Sequence, residues 1–279
     1  STISNDGVLF LYNSSIQDSM RVNGWTGNAM VIGGAGNLTM IDSIIFRSGK
    51  TAAELIGTGQ TYANNPGFAI SIGQTGHVKR INSTIDGNDI SYAMGAYISN
   101  TAFGGAGSIG MFIPETLEVV NSKFLNLAAV VNCGKASYTN PQFVFDQCYL
   151  ETVTAFTQST SVAYIAKITN SYFADGTTTL TKPATAVVEL NNNWWGSNDK
   201  PTYKVGTVAT SPDTWLIVTL NATNSMSTAQ EAYLAFKVTD GVTVSDYDDA
   251  VYPRDFALSV VNGDLDKYDG VIVNNNAFK

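Results

Sequence analysis

Seven stretches of the chain alternate apolar and variable residues, break the alternation at one polar residue, and resume it in the opposite phase. The breaks fall at Asn13, Asp42, Asn82, Asn121, Gln147, Asn170 and Asn192. Four positions earlier stand Leu9, Leu38, Val78, Leu117, Phe143, Ala166 and Val188; two earlier stand Leu11, Met40, Arg80, Val119, Phe145, Ile168 and Leu190. The next residue is Ser14, Ser43, Ser83, Ser122, Cys148, Ser171 or Asn193, and three positions on come Ile16, Ile45, Ile85, Phe124, Leu150, Phe173 and Trp195. Alternation with period two marks a strand with one buried face, and reversal of phase marks a sharp bend between two short strands. Asn tolerates left-handed backbone geometry and bonds neighbouring backbone, so it suits the bend. The small residue after it turns into a tight interior, and the large apolar residue fills the core.

Successive breaks lie 29, 40, 39, 26, 23 and 22 residues apart. Repetition on this scale means a solenoid or array, and no segment carries the 3.6-residue apolar stripe of a helix. The architecture predicted for residues 1–212 is therefore a right-handed parallel β-helix, the hand following from that of parallel crossover connections. Third strands are predicted at Met30-Val31-Ile32, Phe68-Ala69-Ile70, Ala96-Tyr97-Ile98, Val130-Val131 and Val162-Ala163-Tyr164. The long intervals predict insertions near Ser48–Pro66 and Ser99–Ile113, where Gly-rich turn signals gather. Arg80 is the one charge in a core column. Unpaired burial of charge is expensive, which predicts a slipped strand with Ile81 inward, or else a pairing with Asp86 or Asp89.

Beyond Asn191-Asn192-Asn193-Trp194-Trp195-Gly196 the pattern changes. Trp194 and Trp195 are expected to lid the apolar core. Strands are predicted over Trp215–Leu220, Ala232–Val238, Ala257–Val261 and Gly270–Val273, spaced as in an immunoglobulin-type sandwich. Residues 213–279 are fewer than the roughly 100 of such a domain, so an incomplete sandwich is expected, completed by further chain or by another subunit's strand.

Charged residues make up 14% of the chain and the net charge is −8, which disfavours nucleic acid and anionic membrane surfaces as partners. Residues 213–279 carry ten of the acids against four bases. There is no 18-residue apolar run and no signal-peptide pattern at the start. Cys133 and Cys148 lie less than one repeat apart. With Cys148 in the small inward column, the spacing favours a buried free thiol over a disulfide.

The Asn-Ser repeats resemble the parallel β-helices of large secreted adhesins and polysaccharide-acting proteins. The junction from Leu190 through Trp194-Trp195-Gly196-Ser197-Asn198-Asp199-Lys200-Pro201 to Ser211-Pro212-Asp213-Thr214-Trp215-Leu216 is similar to that in adhesin-like surface proteins of methanogenic archaea, where a β-helix leads into immunoglobulin-like repeats. Val261-Asn262-Gly263-Asp264 followed by Asp269-Gly270-Val271 resembles a piece of those modules. The resemblance implies an extracellular, cell-surface location and a role in adhesion or envelope structure, with glycans or other surface proteins as partners. It implies no catalytic residue and no cofactor.

Function is expected on the column two after each break, which faces outward: Ser15, Ile44, Thr84, Lys123, Tyr149, Tyr172 and Trp194. Its last members form an aromatic strip on successive layers, suited to sugar rings or lateral protein contacts; the alternatives are a ladder that stabilises the sheet or a surface covered by the next domain. The competing function is a polysaccharide lyase or glycoside hydrolase. His77 is the only histidine, but no acidic pair lies on neighbouring repeats and Lys79-Arg80 supply no partner motif. Asp246-Tyr247-Asp248-Asp249 and the set Asp264, Asp266, Asp269 are loose fits to calcium loops, solvated turn acids being the plainer reading. Sequons begin at Asn13, Asn37, Asn82 and Asn221, of which Asn37 and Asn221 are the better glycosylation candidates because the other two sit at bends. The unpaired edge of a first repeat also predicts self-assembly by strand pairing into a filament.

Overall fold

The chain's structure is a computed structural model describing residues 3–5, 7–17, 20–21, 30–32, 37–46, 50–51, 70–72, 77–85, 93–99, 102–112, 114–132, 141–153, 163–174, 179–180, 185–205, 208–221, 232–257, 269–272 and 275–278. Among the described residues there are strands and turns but no helix. The dominant element is an eight-stranded parallel sheet. Its strands Val8–Tyr12, Asn37–Ile41, His77–Ile81, Ala93–Ser99, Pro114–Val120, Gln142–Asp146, Ile165–Thr169 and Val187–Glu189 lie side by side in chain order.

The register joins the core columns read from sequence. Leu9, Leu38, Val78, Ala96, Leu117, Phe143, Ala166 and Val188 pair in succession, as do Leu11, Met40, Arg80, Ile98, Val119, Phe145 and Ile168. Burial alternates accordingly: Phe143 and Phe145 are buried while Gln142 and Val144 are exposed. Six of these strands stop one residue before their repeat's break and Val187–Glu189 stops three before Asn192; all seven break residues have left-handed backbone, with φ between 46° and 59°. Past the bend the chain enters a second set of parallel strands. Ser15–Gln17, Ile44–Phe46 and Thr84–Ile85 form one sheet, and Ala102–Phe112, Lys123–Asn132, Tyr149–Val153 and Tyr172–Phe173 another. A third set joins Ile3–Asn5, Met30–Ile32 and Ile70–Ile72.

The small residue after each bend does more than save space. The Ser43 hydroxyl donates to its own Ile41 carbonyl (2.8 Å) and accepts the N–H of Ser14 one layer away (3.2 Å). Ser83 does the same for Ile81 and Ser43, and Ser171 for Thr169 (2.7 Å) and Cys148 (2.9 Å). At the last layer the Asn193 amide takes over, accepting from Ser171 N–H and donating to the Ile168 and Leu190 carbonyls. The carbonyls of Ile41, Ile81 and Thr169 also accept a backbone N–H of the neighbouring repeat, whereas for the N–H groups of Ser14, Ser43, Cys148 and Ser171 this column supplies the acceptor inside the molecule. Cys148 fits the same slot, fully buried, with its thiol 3.4 Å from the Asp146 carbonyl. It is a free thiol; Cys133 lies outside the described residues.

Three expectations are corrected. The interval from Asn82 to Asn121 holds a further layer where an insertion was expected. Ala93–Ser99 inserts between His77–Ile81 and Pro114–Val120, and Ala102–Phe112 pairs with Lys123–Asn132. Ala96-Tyr97-Ile98 therefore belongs to the main sheet rather than a third strand. The strand at Arg80 does not slip: Arg80 stays in register with Met40 and Ile98. Asp86 and Asp89 lie outside the described residues. The two tryptophans also part company. Trp195 closes the main apolar cluster, stacked on Phe173 (centroids 4.2 Å apart, 9° between planes) and on Tyr203 (6.0 Å, 10°), whereas Trp194 belongs to a second cluster.

Val130-Val131 lies within the strand Lys123–Asn132 and forms no separate third strand, and Ala163-Tyr164 lies outside any strand with Tyr164 buried.

The hydrogen-bond ladder runs past the last repeat. Asn192 N–H donates to the Thr214 carbonyl (3.1 Å), and Leu216 N–H to the Asn193 carbonyl (2.9 Å). Trp215 joins the main cluster, and its indole N–H donates to the Asn198 carbonyl at 3.2 Å. Trp215–Asn221 then pairs antiparallel with Ala232–Thr239, whose other edge takes Val244–Asp246 and Asn275–Phe278. Arg254–Ala257 and Asp269–Ile272 form a separate antiparallel pair. Gly241, at φ 93°, turns the chain where a Cβ would stand 3.1 Å from the Trp215 ring.

Candidate functional site

The outward column predicted from sequence exists as a stack. Lys123 pairs with Tyr149, Tyr149 with Tyr172, and Tyr172 bridges to Trp194. The ladder bond of Leu216 repeats that of Trp194, placing Leu216 next in line.

The stack divides at Trp194. Trp194 is 6% exposed and packs with Leu216, Leu234, Phe236, Tyr247 and Val251, its ring edge-on to Phe236 at 5.9 Å. It anchors the antiparallel strands and offers no surface to a ligand, so the strip expected to end on it stops one layer earlier. Tyr149 and Tyr172 remain half-buried, and they are not coplanar: their centroids lie 5.1 Å apart with 62° between the rings. Lys123, the first member of the series, is exposed.

Chain from beyond the repeats supplies the opposite wall. Tyr252 N–H donates to the Asn170 carbonyl (2.8 Å), the Tyr247 hydroxyl donates to Asn170 Oδ1, and Asn170 Nδ2 donates to Asp146 Oδ1 (2.7 Å). A bend residue of the repeat thus doubles as the anchor for residues 247–252. Burial raises the Tyr247 hydroxyl's pKa, helped by the carboxylates of Asp249 and Asp146, so the phenol stays protonated and remains the donor. Held this way, the Tyr252 ring lies 5.5 Å from Tyr149 at 37°.

Between the walls is a cleft of about 430 Å³ lined by Lys123, Leu125, Tyr149, Glu151, Tyr172, Tyr252, Pro253 and Asp255. That volume is in the range of small-molecule sites. The Tyr149 hydroxyl donates to Glu151 Oε2 at 2.8 Å, fixing both groups. Tyr149 and Tyr172, half-buried, offer apolar faces and polar rims with the largely buried Tyr252 behind them, one ammonium donates, and two carboxylates accept. This chemistry suits a ligand rich in hydroxyls with a C–H face.

Leu125 and Glu151 were missed although the repeat contains them: they stand four after their breaks, one step beyond the columns read. Tyr252, Pro253 and Asp255 follow no repeat, and only the folded chain brings them to the column.

The remaining candidates stay apart from this cleft. His77 pairs with Asn37 and Gly95 in the main sheet. Asn37 is exposed at the start of its strand, Asn221 ends the strand Trp215–Asn221, and the bend asparagine Asn82 donates to Asp42 Oδ1 at 2.7 Å. Asp246 pairs with Lys237 on the neighbouring strand. Asp264 and Asp266 lie outside the described residues, and Asp269 begins the strand Asp269–Ile272. Among the described residues no group of three or more His, Cys, Asp or Glu side chains is placed to hold a metal ion, and no helix is long and apolar enough to cross a membrane. Comparison with known proteins finds no matching family model, no matching curated protein and no matching solved structure.

Proposed function

We propose that the chain is a non-catalytic, cell-surface adhesin or structural fibre component that binds glycans in the tyrosine-walled cleft. In this reading the parallel sheets are the faces of a right-handed β-helix, and residues 213–279 are a partial immunoglobulin-like sandwich. Supporting the solenoid are the chain-order stacking of parallel strands, the left-handed bend at every break and the buried polar column. Supporting the extracellular location are the low charge content and the resemblance of the Trp194-Trp195-Gly196 junction to archaeal surface adhesins. Val8, Phe10 and Tyr12, 60–70% exposed on a strand at the edge of the main sheet, suit the fibre reading through strand pairing with a neighbouring subunit. Sedimentation at rising concentration checks that part, and a lasting monomer would count against it.

The observation that carries the glycan reading is the convergence of Tyr149, Tyr172 and Tyr252 with Lys123 and Glu151 on one cleft. Tyr172→Ala should lower retention of a bound glycan on an array about tenfold, the equivalent of about 1.4 kcal/mol. Unchanged retention would remove the site. The competing reading, a glycoside hydrolase or lyase, gains from Glu151 and Asp255 lining the same cleft, since glycoside hydrolysis uses a pair of carboxylates. It requires new reducing ends or unsaturated products in the same incubations; their absence across a broad polysaccharide screen leaves the binding reading.

A further inference from the structure

We propose that the cleft selects an uncharged pyranose over a uronate, with Glu151 as the specificity-determining residue. The inference rests on the glycan-binding reading above and adds the class of sugar.

The aromatic geometry restricts the ligand first. Tyr149 meets Tyr172 at 5.1 Å and Tyr252 at 5.5 Å between centroids. At these separations the Tyr149 ring touches both of the others, so where the two walls meet at Tyr149 the aromatic lining closes instead of surrounding an empty centre. A quaternary ammonium is held by aromatic faces that surround it, and Tyr149 leaves no room for one between its ring and either of these neighbours. A pyranose presses one C–H face against an aromatic wall and leaves its hydroxyls for the charged groups that share the lining.

Charge restricts it next. Two carboxylates, Glu151 and Asp255, share the cleft with one ammonium, Lys123, in a chain of net charge −8. A sugar hydroxyl donates to a carboxylate and accepts from an ammonium, so an uncharged sugar is served by all three groups. A uronate brings a carboxylate of its own to a site with an excess of them and meets like charge.

Glu151 is the better placed of the two acids. Tyr149 holds one of its oxygens at 2.8 Å, and a carboxylate has capacity for further donors. The backbone also turns immediately after it. Leu150 is buried, Glu151 half-buried, Thr152 exposed and Val153 buried, so the alternation changes phase at Thr152. Thr152 has φ 52°, and it is the one described non-glycine residue with positive φ outside the repeat's bends. Left-handed backbone strains a β-branched residue, and strain of this kind gathers at binding sites. Its effect is to turn Val153 into the interior, so that Glu151 is the last residue of the strand Tyr149–Val153 to line the cleft.

The test uses the full chain, titrated calorimetrically with cellohexaose, mannohexaose and laminarihexaose, and separately with hexagalacturonate. At least one neutral oligosaccharide should bind, Glu151→Gln should weaken it tenfold or more without changing the melting temperature, and hexagalacturonate should not bind detectably. Asp255 is exposed, so Asp255→Asn, expected to weaken binding severalfold, keeps the test open if Glu151→Gln disturbs folding. Tighter binding of hexagalacturonate, or neutral binding indifferent to both substitutions, would overturn the inference while leaving the glycan reading intact, provided Tyr172→Ala still weakens binding about tenfold. No binding of any oligosaccharide would overturn both.

Discussion

The buried side chain after each bend is the residue on which the repeat depends. Ser171 bonds the Thr169 carbonyl and the Cys148 N–H, both inside the molecule. Ser171→Ala takes from the buried Cys148 N–H its acceptor, while the Thr169 carbonyl keeps the Gln147 N–H; the cost is about 1–3 kcal/mol, to be read as a lower midpoint in denaturant titration. Cys148 shows that a thiol is accepted in this column, so Ser171→Cys should cost less than Ser171→Ala. Burial also pushes the Cys148 thiol from its ordinary 9.0 up to about 12, the nearby Asp146 carboxylate adding to the shift. The folded state therefore keeps a proton that the unfolded chain gives up. This contribution is fully present below pH 9 and fades as pH rises from there towards 12. Cys148→Ser restores the column's usual residue, and the variant's stability should fall less steeply over that window. Equal slopes for the two proteins would show that the thiol does not titrate in unfolding.

At the scale of elements, what the chain disclosed and what it hid have separate physical causes. A left-handed bend flanked by inward apolar residues admits few side chains, so Asn13 through Asn192 were legible and every one has positive φ. The layer between Asn82 and Asn121 follows the same pattern at Ala96, Ile98 and Phe103, with Asn100 at its break outside the described residues. It was obscured by Gly104, Gly105, Gly107 and Gly110, which signal turns in isolation. What places Ala102–Phe112 in a sheet is backbone pairing to Lys123–Asn132, with register shifts on either side of Ser108. Sequence carries no trace of that partner. Arg80 misled in the opposite way: the cost of a charge argued for slippage, but a one-residue slip moves every side chain to the other face, and the register with Met40 and Ile98 held. The closing element is more exacting. Trp195, 3% exposed between Phe173 and Tyr203, fills the end of the main cluster. Trp195→Ala should cost about 3–5 kcal/mol, measurable by thermal unfolding, and Trp195→Phe much less.

At the scale of the whole molecule, the cleft exists only because two parts of the chain meet. Lys123, Tyr149, Glu151 and Tyr172 come from the repeats; Tyr252, Pro253 and Asp255 come from the chain after them. Asn170 ties the two, through its carbonyl to Tyr252 and its side chain to Tyr247. A ligand that touches both walls binds the docked arrangement and not the parted one, so its binding energy adds to docking. By mass action a ligand at a hundred times its Kd stabilises the binding-competent state by about 2.7 kcal/mol. Tyr247→Phe separates this coupling from simple stability. The ring still packs beside Trp194 and Val251, while the hydroxyl that holds Asn170 is gone. The expected result is a three- to tenfold weaker oligosaccharide affinity, about 0.7–1.4 kcal/mol, with the unfolding midpoint of the parallel sheets little changed. Saturating ligand should recover the lost docking, visible as added hydrogen-exchange protection in residues 247–257 of the variant. If affinity is unaltered while those residues exchange faster, the second wall contributes shape without energy, and recognition belongs to Tyr149, Tyr172 and Glu151 alone.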